Sequence, residues 1–312
     1  MCVMQAPGLL FSLPNCVRDF KMARFIHICI LASLPAVLTQ GSTGKAVEVI
    51  SKPNLLDFEK LQLTDKVIAG LKDQKISDLD LFSFGKPTPS KIKTGQQPKC
   101  KTYPGDELWP TDGIWKLFDF LLGGSLIKTV PEASICYPEW GKYNAQQCAS
   151  TTLTWNNSTL RGWDPTSIRS ILFQGMTCMP PNYTAAFLGN SVKCSVGGFP
   201  EYTVNVSTVA QIQLAVNIAR ELDIRLVIKN TGHDFGAKST GKGGLSLWTH
   251  YLKDWRFYEK YKSDSYTGPA FRLGAGIQAF EAFELAKAKN VTVVGGEGKV
   301  RFPPNISGTH HG

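Results

Sequence analysis

The chain has 312 residues, of which 43% are apolar and 19% charged, and a formal net charge of +9. That length allows one or two cored domains, and the ordinary composition excludes a wholly disordered or low-complexity protein. The positive charge is dispersed, and no run of Lys and Arg stands beside clustered aromatics, so nothing marks a nucleic-acid partner.

Residues 22–40 read as a secretory signal peptide. Met22 is followed by a basic position at Arg24, an apolar stretch from Phe25 to Leu38, and then small and polar residues. The stretch is short for a membrane span, which needs about 20 residues. Cleavage is expected near Thr39–Ser42, leaving a secreted chain with no stable membrane insertion; an uncleaved signal anchor is the alternative. Residues 1–21 lack this pattern, so Met22 reads as the start.

Export makes the cysteines legible. Cys2, Cys16 and Cys29 precede the cleavage point, and five remain. Cys136 with Cys148, and Cys178 with Cys194, are natural short-range disulfide pairs, although sequence does not fix connectivity. Cys100 is left over. Asn156, Asn157, Asn182, Asn205, Asn290 and Asn305 each head an N-x-S/T triplet, with Asn156, Asn182, Asn205 and Asn290 the preferred glycosylation sites. No Cys/His spacing suggests zinc, and His310-His311 has no third ligand in reach by spacing.

Residues 43–99 form a polar N-terminal region with weak helical periodicity around Leu55–Leu71. It ends in a Pro-, Gly- and Lys-rich linker over residues 86–99. Lys91, Lys93, Lys99 and Lys101 read as its solvated charge, with an anionic partner or cell-wall polymer as the alternative. Residues 100–195 hold all five remaining cysteines and many prolines, and read as an irregular, disulfide-tied lead-in that covers a core rather than forms one. Its clearest element is a helix over residues 111–124, with Trp115, Phe118, Leu121 and Leu122 on one face and Gly123-Gly124 at its end.

From Glu201 the pattern becomes regular. Tyr202–Val206 alternates as a strand. Thr208 to Gln211 is a capping box, and the helix after it places Val209, Ile212, Val216 and Ala219 on one stripe. Ile224–Ile228, Leu245–Trp248, Ala270–Leu273 and Val291–Val294 read as strands, with a helix over Ile277–Lys289. The order argues an α+β fold with α/β-like crossover units, two of them parallel.

The candidate site is the polar, Gly-rich stretch KNTGHDFGAKSTGKGG at the end of the second of these strands. Gly232 permits a tight turn and close backbone approach. Successive N–H groups in such turns make anion-binding concavities. Lys229, Lys238 and Lys242 add charge, and Thr231, Ser239 and Thr240 add hydroxyls. Loops beyond strand ends are where open α/β sheets bind ligands. On these residues alone, a well-capped structural turn is the stronger reading.

The stretch VIKNTGHDFGAKSTGKGGLSLWTHYLKD resembles the FAD-binding segment of the berberine-bridge-enzyme-like oxidases, in the vanillyl-alcohol oxidase superfamily with its PCMH-type FAD-binding domain, and most of all their fungal secreted members. CKTYPGDELWP, LLGGSLIKTVPEASICYPEW, CSVGGFPEYTVNVSTVAQIQLAVNIARELDIRLVIKNTGHDF and FRLGAGIQAFEAFELAKAKNVTVVGGEG agree with that group in order, over roughly residues 100–299. The resemblance implies that residues 196–312 are a PCMH-type domain, incomplete after about residue 299. It implies FAD joined covalently through His233, with Lys229, Asn230, Thr231, Gly232, Asp234, Ser239, Thr240 and Gly241 around the diphosphate. Gly295 and Gly296 match the start of a second Gly-rich flavin segment. Gly298 stands where many members carry a second attachment cysteine, so one covalent link is expected. Gly274, Ala275 and Gly276 match a turn before the second crossover helix, and His250 reads as a packed structural histidine. The activity implied is hydride transfer from a small organic substrate to flavin, with O2 as acceptor. The substrate pocket and catalytic base belong to sequence beyond residue 299, where the resemblance stops, so this chain alone is expected to bind FAD poorly. The alternative is a non-catalytic secreted glycoprotein with a degenerate FAD-binding fold.

Overall fold

The early residues are drawn into the protein's main core. The computed structural model describes residues 46–50, 52, 54–73, 76–85, 100–168, 175–181, 183 and 193–295. Strands β1 (Glu48–Val49) and β2 (Leu61–Gln62) pair antiparallel around α1 (Asp57–Lys60), and α2 (Asp65–Asp73) follows. Leu63, Ile68, Leu71, Leu79 and Phe82 are buried in one cluster with residues of the later helices and strands. Val49 and Phe84 of the same region stay exposed. The signal-peptide expectation over 22–40 and the linker over 86–99 lie outside the described residues.

Helix α3 (Asp112–Leu122) forms where the sequence places it. The Thr111 hydroxyl accepts from the Ile114 N–H, and Gly123 closes the helix in the left-handed region at φ 73°. Trp115, Phe118, Leu121 and Leu122 are buried in the main core, with Trp115 stacked 4.2 Å from the Tyr202 ring. This corrects the expectation that residues 100–195 only cover a core. Four large side chains on one helical face bury too much apolar area to act as a lid.

Strand β3 (Leu126–Lys128) follows, then α4 (Ala145–Thr154) and α5 (Ser158–Trp163). Around them lies a second, smaller cluster of Ala133, Cys136, Tyr137, Trp155, Cys178, Met179 and Cys194. Disulfides join Cys136 to Cys148 and Cys178 to Cys194, closing separations of 12 and 16 residues. Each such closure is worth roughly 3 kcal/mol of unfolded-chain entropy. Cys100 is free and exposed.

The central sheet combines β3 with β4 (Tyr202–Asn205), β5 (Leu226–Lys229) and β6 (Leu245–Trp248) in the order β3-β4-β6-β5. β4 and β5 both run parallel to β6, and β3 runs antiparallel to β4. All four residues of β6 are buried, as a central parallel strand covered on both faces requires. Helix α6 (Val209–Glu221) makes the crossover, with Thr208 and Gln211 forming the expected capping box.

The stripe expected on α6 is corrected. Its buried residues are Ala210, Gln211, Leu214, Ala215, Asn217, Ile218 and Ala219, while Val216 is 41% exposed. The helix is held on two sides. One side faces the sheet, where alanines allow close approach. On the other, Asn217 Nδ2 donates to the Phe82 carbonyl at 2.8 Å, and Gln213 Oε1 accepts from the Leu63 N–H at 2.8 Å.

After the central sheet, β7 (Trp255–Lys262) and β8 (Thr267–Leu273) form an antiparallel hairpin. β7 has no counterpart among the sequence-derived strands. The four-residue connection between the two is far too short for a parallel crossover. Helix α7 (Ala279–Ala288) then forms, but residues 291–295 pair with no strand, and Val294 is 96% exposed. The second parallel crossover is therefore absent among the described residues, because an isolated apolar run has no ladder to join.

Candidate functional site

The turn after β5 is the centre of the candidate site. β5 is an edge strand, and Ile228 points outward at 51% exposure while Val227 and Lys229 are buried. Lys229 is 1% exposed. Its ammonium donates to the carbonyl oxygens of Asp164 at 2.7 Å and Arg161 at 3.2 Å, and lies 5.5 Å from the Trp248 ring centroid. Burial lowers its pKa to about 8, against the opposing pull of Asp164, Glu132 and Asp234. The side chain thus faces into the protein, away from the position expected of a diphosphate ligand. An ammonium gains more from two fixed carbonyls than from an open loop once its stem packs inside.

Thr231, Gly232 and His233 are buried at the turn. Gly232 takes φ 76°, and a Cβ there would stand 2.7 Å from the Ser167 carbonyl oxygen and 3.2 Å from the Ile168 Cα. The segment 167–168 is therefore a wall behind the turn, in contact with its backbone. On the other side, Asn230 Nδ2 donates to the Ala275 carbonyl at 2.9 Å, and Asn230 Oδ1 lies 3.2 Å from His250 Nδ1. Gly274 and Gly276 lie so close to the 249–254 backbone that neither has room for a Cβ. The Gly274–Gly276 turn thus supports Asn230 through main-chain packing. His250 is 3% exposed, its ring plane nearly parallel to that of Trp248, and burial lowers its pKa to about 4, with Lys253 and Lys229 acting in the same direction. It is a packed histidine, as expected.

The rest of the loop is tied to itself. Asp234 accepts from the Lys238 and Ser239 N–H groups and from the Ser239 hydroxyl, an Asx-type arrangement that fixes the backbone. Thr240 Oγ1 donates to the Gly198 carbonyl at 3.3 Å. A Cβ on Gly241 would meet Arg225 Cδ at 2.7 Å. The side chains of Asp234, Ser239 and Thr240 therefore shape the loop, and Gly241 lets it lie against the Arg225 side chain. What remains for a ligand is backbone. The N–H groups of Thr231, Gly232 and Asp234 donate to no acceptor among the described residues, and Lys238 and Lys242 are exposed nearby in sequence. Main-chain N–H donors of this kind, on a turn followed in sequence by two exposed lysines, are of the type that binds the diphosphate of a dinucleotide.

Sequence reasoning missed the layer behind the turn. Asp164 Oδ1 accepts from the N–H groups of Thr166 at 2.8 Å and Ser167 at 2.6 Å. Arg161 donates to Ser167 Oγ at 3.0 Å, Ile168 O at 3.4 Å and the Trp155 carbonyl. Glu132 accepts from Ser167 Oγ at 3.1 Å and lies 4.0 Å from Arg161. Burial raises the Glu132 carboxyl and lowers the Arg161 guanidinium, each countered by the other's charge. The available signal was Asp164-Pro165-Thr166-Ser167, a turn-forming run in which an aspartate can bond backbone two and three residues on. A cleft of about 430 Å3 lined by Glu132, Ser134, Lys142, Gln147, Ser150 and Asp164 opens on this network.

Other expected residues lie apart. Gly295 is exposed beside the Phe283 ring, and Gly296, Asn182, Asn305, His310 and His311 fall outside the described residues. Asn156 and Asn290 are exposed, whereas Asn205 is half-buried within β4. Among the described residues no group of three or more His, Cys, Asp or Glu could hold a metal ion, and no helix is long and apolar enough to cross a membrane.

No family model matches the chain. The VAO-type flavoprotein oxidase VAO615 of Thermothelomyces thermophilus is 42% identical over 201 residues, covering 64% of this chain and 34% of its own. The FAD-linked oxidoreductase sor8 of Hypocrea jecorina is 39% identical over 218 residues, covering 69% and 36%. The crystal structure of the VAO-type flavoprotein MtVAO615 from Myceliophthora thermophila C1 superposes with a TM-score of 0.58 at 42% identity, over 63% of this chain and 35% of that one. The chain spans about a third of the length of these relatives. Over that third, the chain is similar in sequence to VAO-type flavoprotein oxidases and FAD-linked oxidoreductases, and similar in fold to a VAO-type flavoprotein.

Proposed function

We propose that this chain is the cofactor-gripping part of a secreted FAD-dependent oxidase, an incomplete PCMH-type domain that carries FAD through one covalent link to His233. The observation that carries the reading is the turn after β5. There a left-handed Gly232 and three N–H groups without acceptors among the described residues stand next to a buried histidine, on a chain similar in sequence to a flavoprotein oxidase. Bound FAD supplies hydride acceptance from a small organic substrate, with molecular oxygen as the terminal acceptor. The N–H groups of Thr231, Gly232 and Asp234 bind the diphosphate. Asn230, held between His250 and Ala275, orients the turn. His233 offers an imidazole nitrogen as nucleophile, at a position only 3% exposed to water. Covalent attachment would keep the cofactor from being lost outside the cell. Glycosylation at the exposed Asn156 and Asn290 accords with export.

The test is expression of the complete open reading frame from Met22 in a secreting host, followed by acid precipitation. Flavin fluorescence should stay with the precipitate, map to the peptide containing His233, and vanish in His233→Ala. An unmodified His233 peptide, with no flavin retained, sinks the proposal.

A further inference from the structure

We infer that Lys229 is a positioning residue for the flavin-attachment turn: its buried ammonium latches the segment 161–168 against Gly232 and so fixes where His233 stands. This rests on the reading of His233 as the attachment point. Its structural half stands without it.

The geometry is two-sided. From β5, Lys229 reaches back to the carbonyls of Arg161 and Asp164, at 3.2 and 2.7 Å. From the segment, the Ser167 carbonyl and Ile168 Cα press on the Gly232 backbone at distances that leave no room for a methyl group. The Lys229 stem also borders Gly232, its Cε lying 3.1 Å from where a Cβ would be. One side chain therefore bonds the segment and packs against the turn. The segment is stiff enough to transmit this. Asp164 caps the Thr166 and Ser167 N–H groups, and Arg161 bonds Ser167 and Ile168 from inside. Glu132 anchors the same Ser167 hydroxyl from the neighbouring 3-10 helix, Glu132–Cys136.

A lysine suits this task better than an apolar residue. Two carbonyl oxygens converge on one buried point, and among the described residues neither has another donor than the ammonium. A diphosphate ligand would need the same ammonium exposed to the cofactor, whereas here it is 1% exposed and committed to main-chain acceptors. Lys229 thus acts on the cofactor through the turn.

Native-state amide exchange tests the latch on the wild-type protein. The amides of segment 161–168 and the buried amides of Thr231, Gly232 and His233, which burial keeps from water, should exchange as one cooperative unit, with the same opening equilibrium. In Lys229→Met both segments should exchange at least tenfold faster, while β4 and β6 keep their protection. Lys229→Arg, which restores a buried cationic donor, should return both towards wild type. In the FAD-loaded full-length protein, Lys229→Met should lower flavin covalently bound at His233 by at least tenfold, and Lys229→Arg should recover most of it. Independent exchange of the two segments in the wild type overturns the latch, and this holds even where Lys229→Met fails to fold. So does a folded Lys229→Met protein with unchanged exchange at Thr231, Gly232 and His233. If the wild type carries no flavin on His233 yet the exchange results hold, the attachment reading fails and the latch survives. If Lys229→Met keeps full covalent flavin, the positioning role fails and the attachment reading survives.

Discussion

Replacing Gly232 with alanine tests the turn geometry directly. Gly232 sits at φ 76°, in the left-handed region, where an L side chain costs about 1–2 kcal/mol. The new methyl would also stand 2.7 Å from the Ser167 carbonyl oxygen, 3.1 Å from Lys229 Cε and 3.2 Å from Ile168 Cα. Two of these three neighbours are main chain, so the wall must shift, at an overpacking cost of about 1–3 kcal/mol. The sum predicts a loss of about 2–5 kcal/mol from these two sources. Gly236→Ala is the control, since its φ is not in the left-handed region and a Cβ would meet only Lys238 Cγ at 3.9 Å. It should fall within about 0.5 kcal/mol of wild type. Urea unfolding followed by tryptophan fluorescence gives both values. A Gly232→Ala protein as stable as Gly236→Ala would refute the claim that the 167–168 segment abuts this turn.

Two further outcomes follow from the packing. Phe118 is 0% exposed, stacked 5.7 Å from Phe82 and tilted against Trp115 at 6.2 Å, so Phe118→Ala should cost about 3–5 kcal/mol in the same unfolding assay. A small loss would mean that α3 is only peripheral to the core. His250 has a folded pKa lowered to about 4, with burial the main cause. Between pH 6.5 and 4 the unfolded chain binds a proton here that the native protein refuses, so stability falls as pH drops through that window. Its ring resonances should stay those of neutral imidazole down to about pH 5, read by NMR in the folded protein. A midpoint near 6.5 would show the ring to be hydrated.

Sequence carries the strongest signals where one residue decides one local outcome. Thr111 and Gly123 bracket α3 because a hydroxyl at the start and a left-handed residue at the end act within four residues. The turn at residues 229–234 was legible for the same reason, through Gly232 and through blocks shared with oxidases. The chain's short-range cysteine pairs were also the ones that formed. Where two surfaces compete for one helix, the pattern misleads. On α6 the branched residues suggested a stripe through Val216, but the sheet on one side and the 46–82 region on the other select Ala210, Leu214 and Ile218. β7 is WRFYEKYK, with exposed and half-buried positions throughout, and a ribbon that buries neither face fully leaves no clean alternation to read.

The residues alone determined that a strand ends in a glycine-bearing turn able to present consecutive N–H donors, because φ freedom at Gly232 and the strand pattern before it are local properties. Tertiary structure alone decided which side chains face that turn and which face away from it. Lys229, Asp234, Ser239 and Thr240 looked equivalent along the chain, yet Lys229 turns inward to two carbonyls and the other three bond to the loop or to Gly198. Their partners lie up to 68 residues away. A buried polar group goes to whichever acceptor compensates its lost water, and that acceptor exists only once distant segments have met.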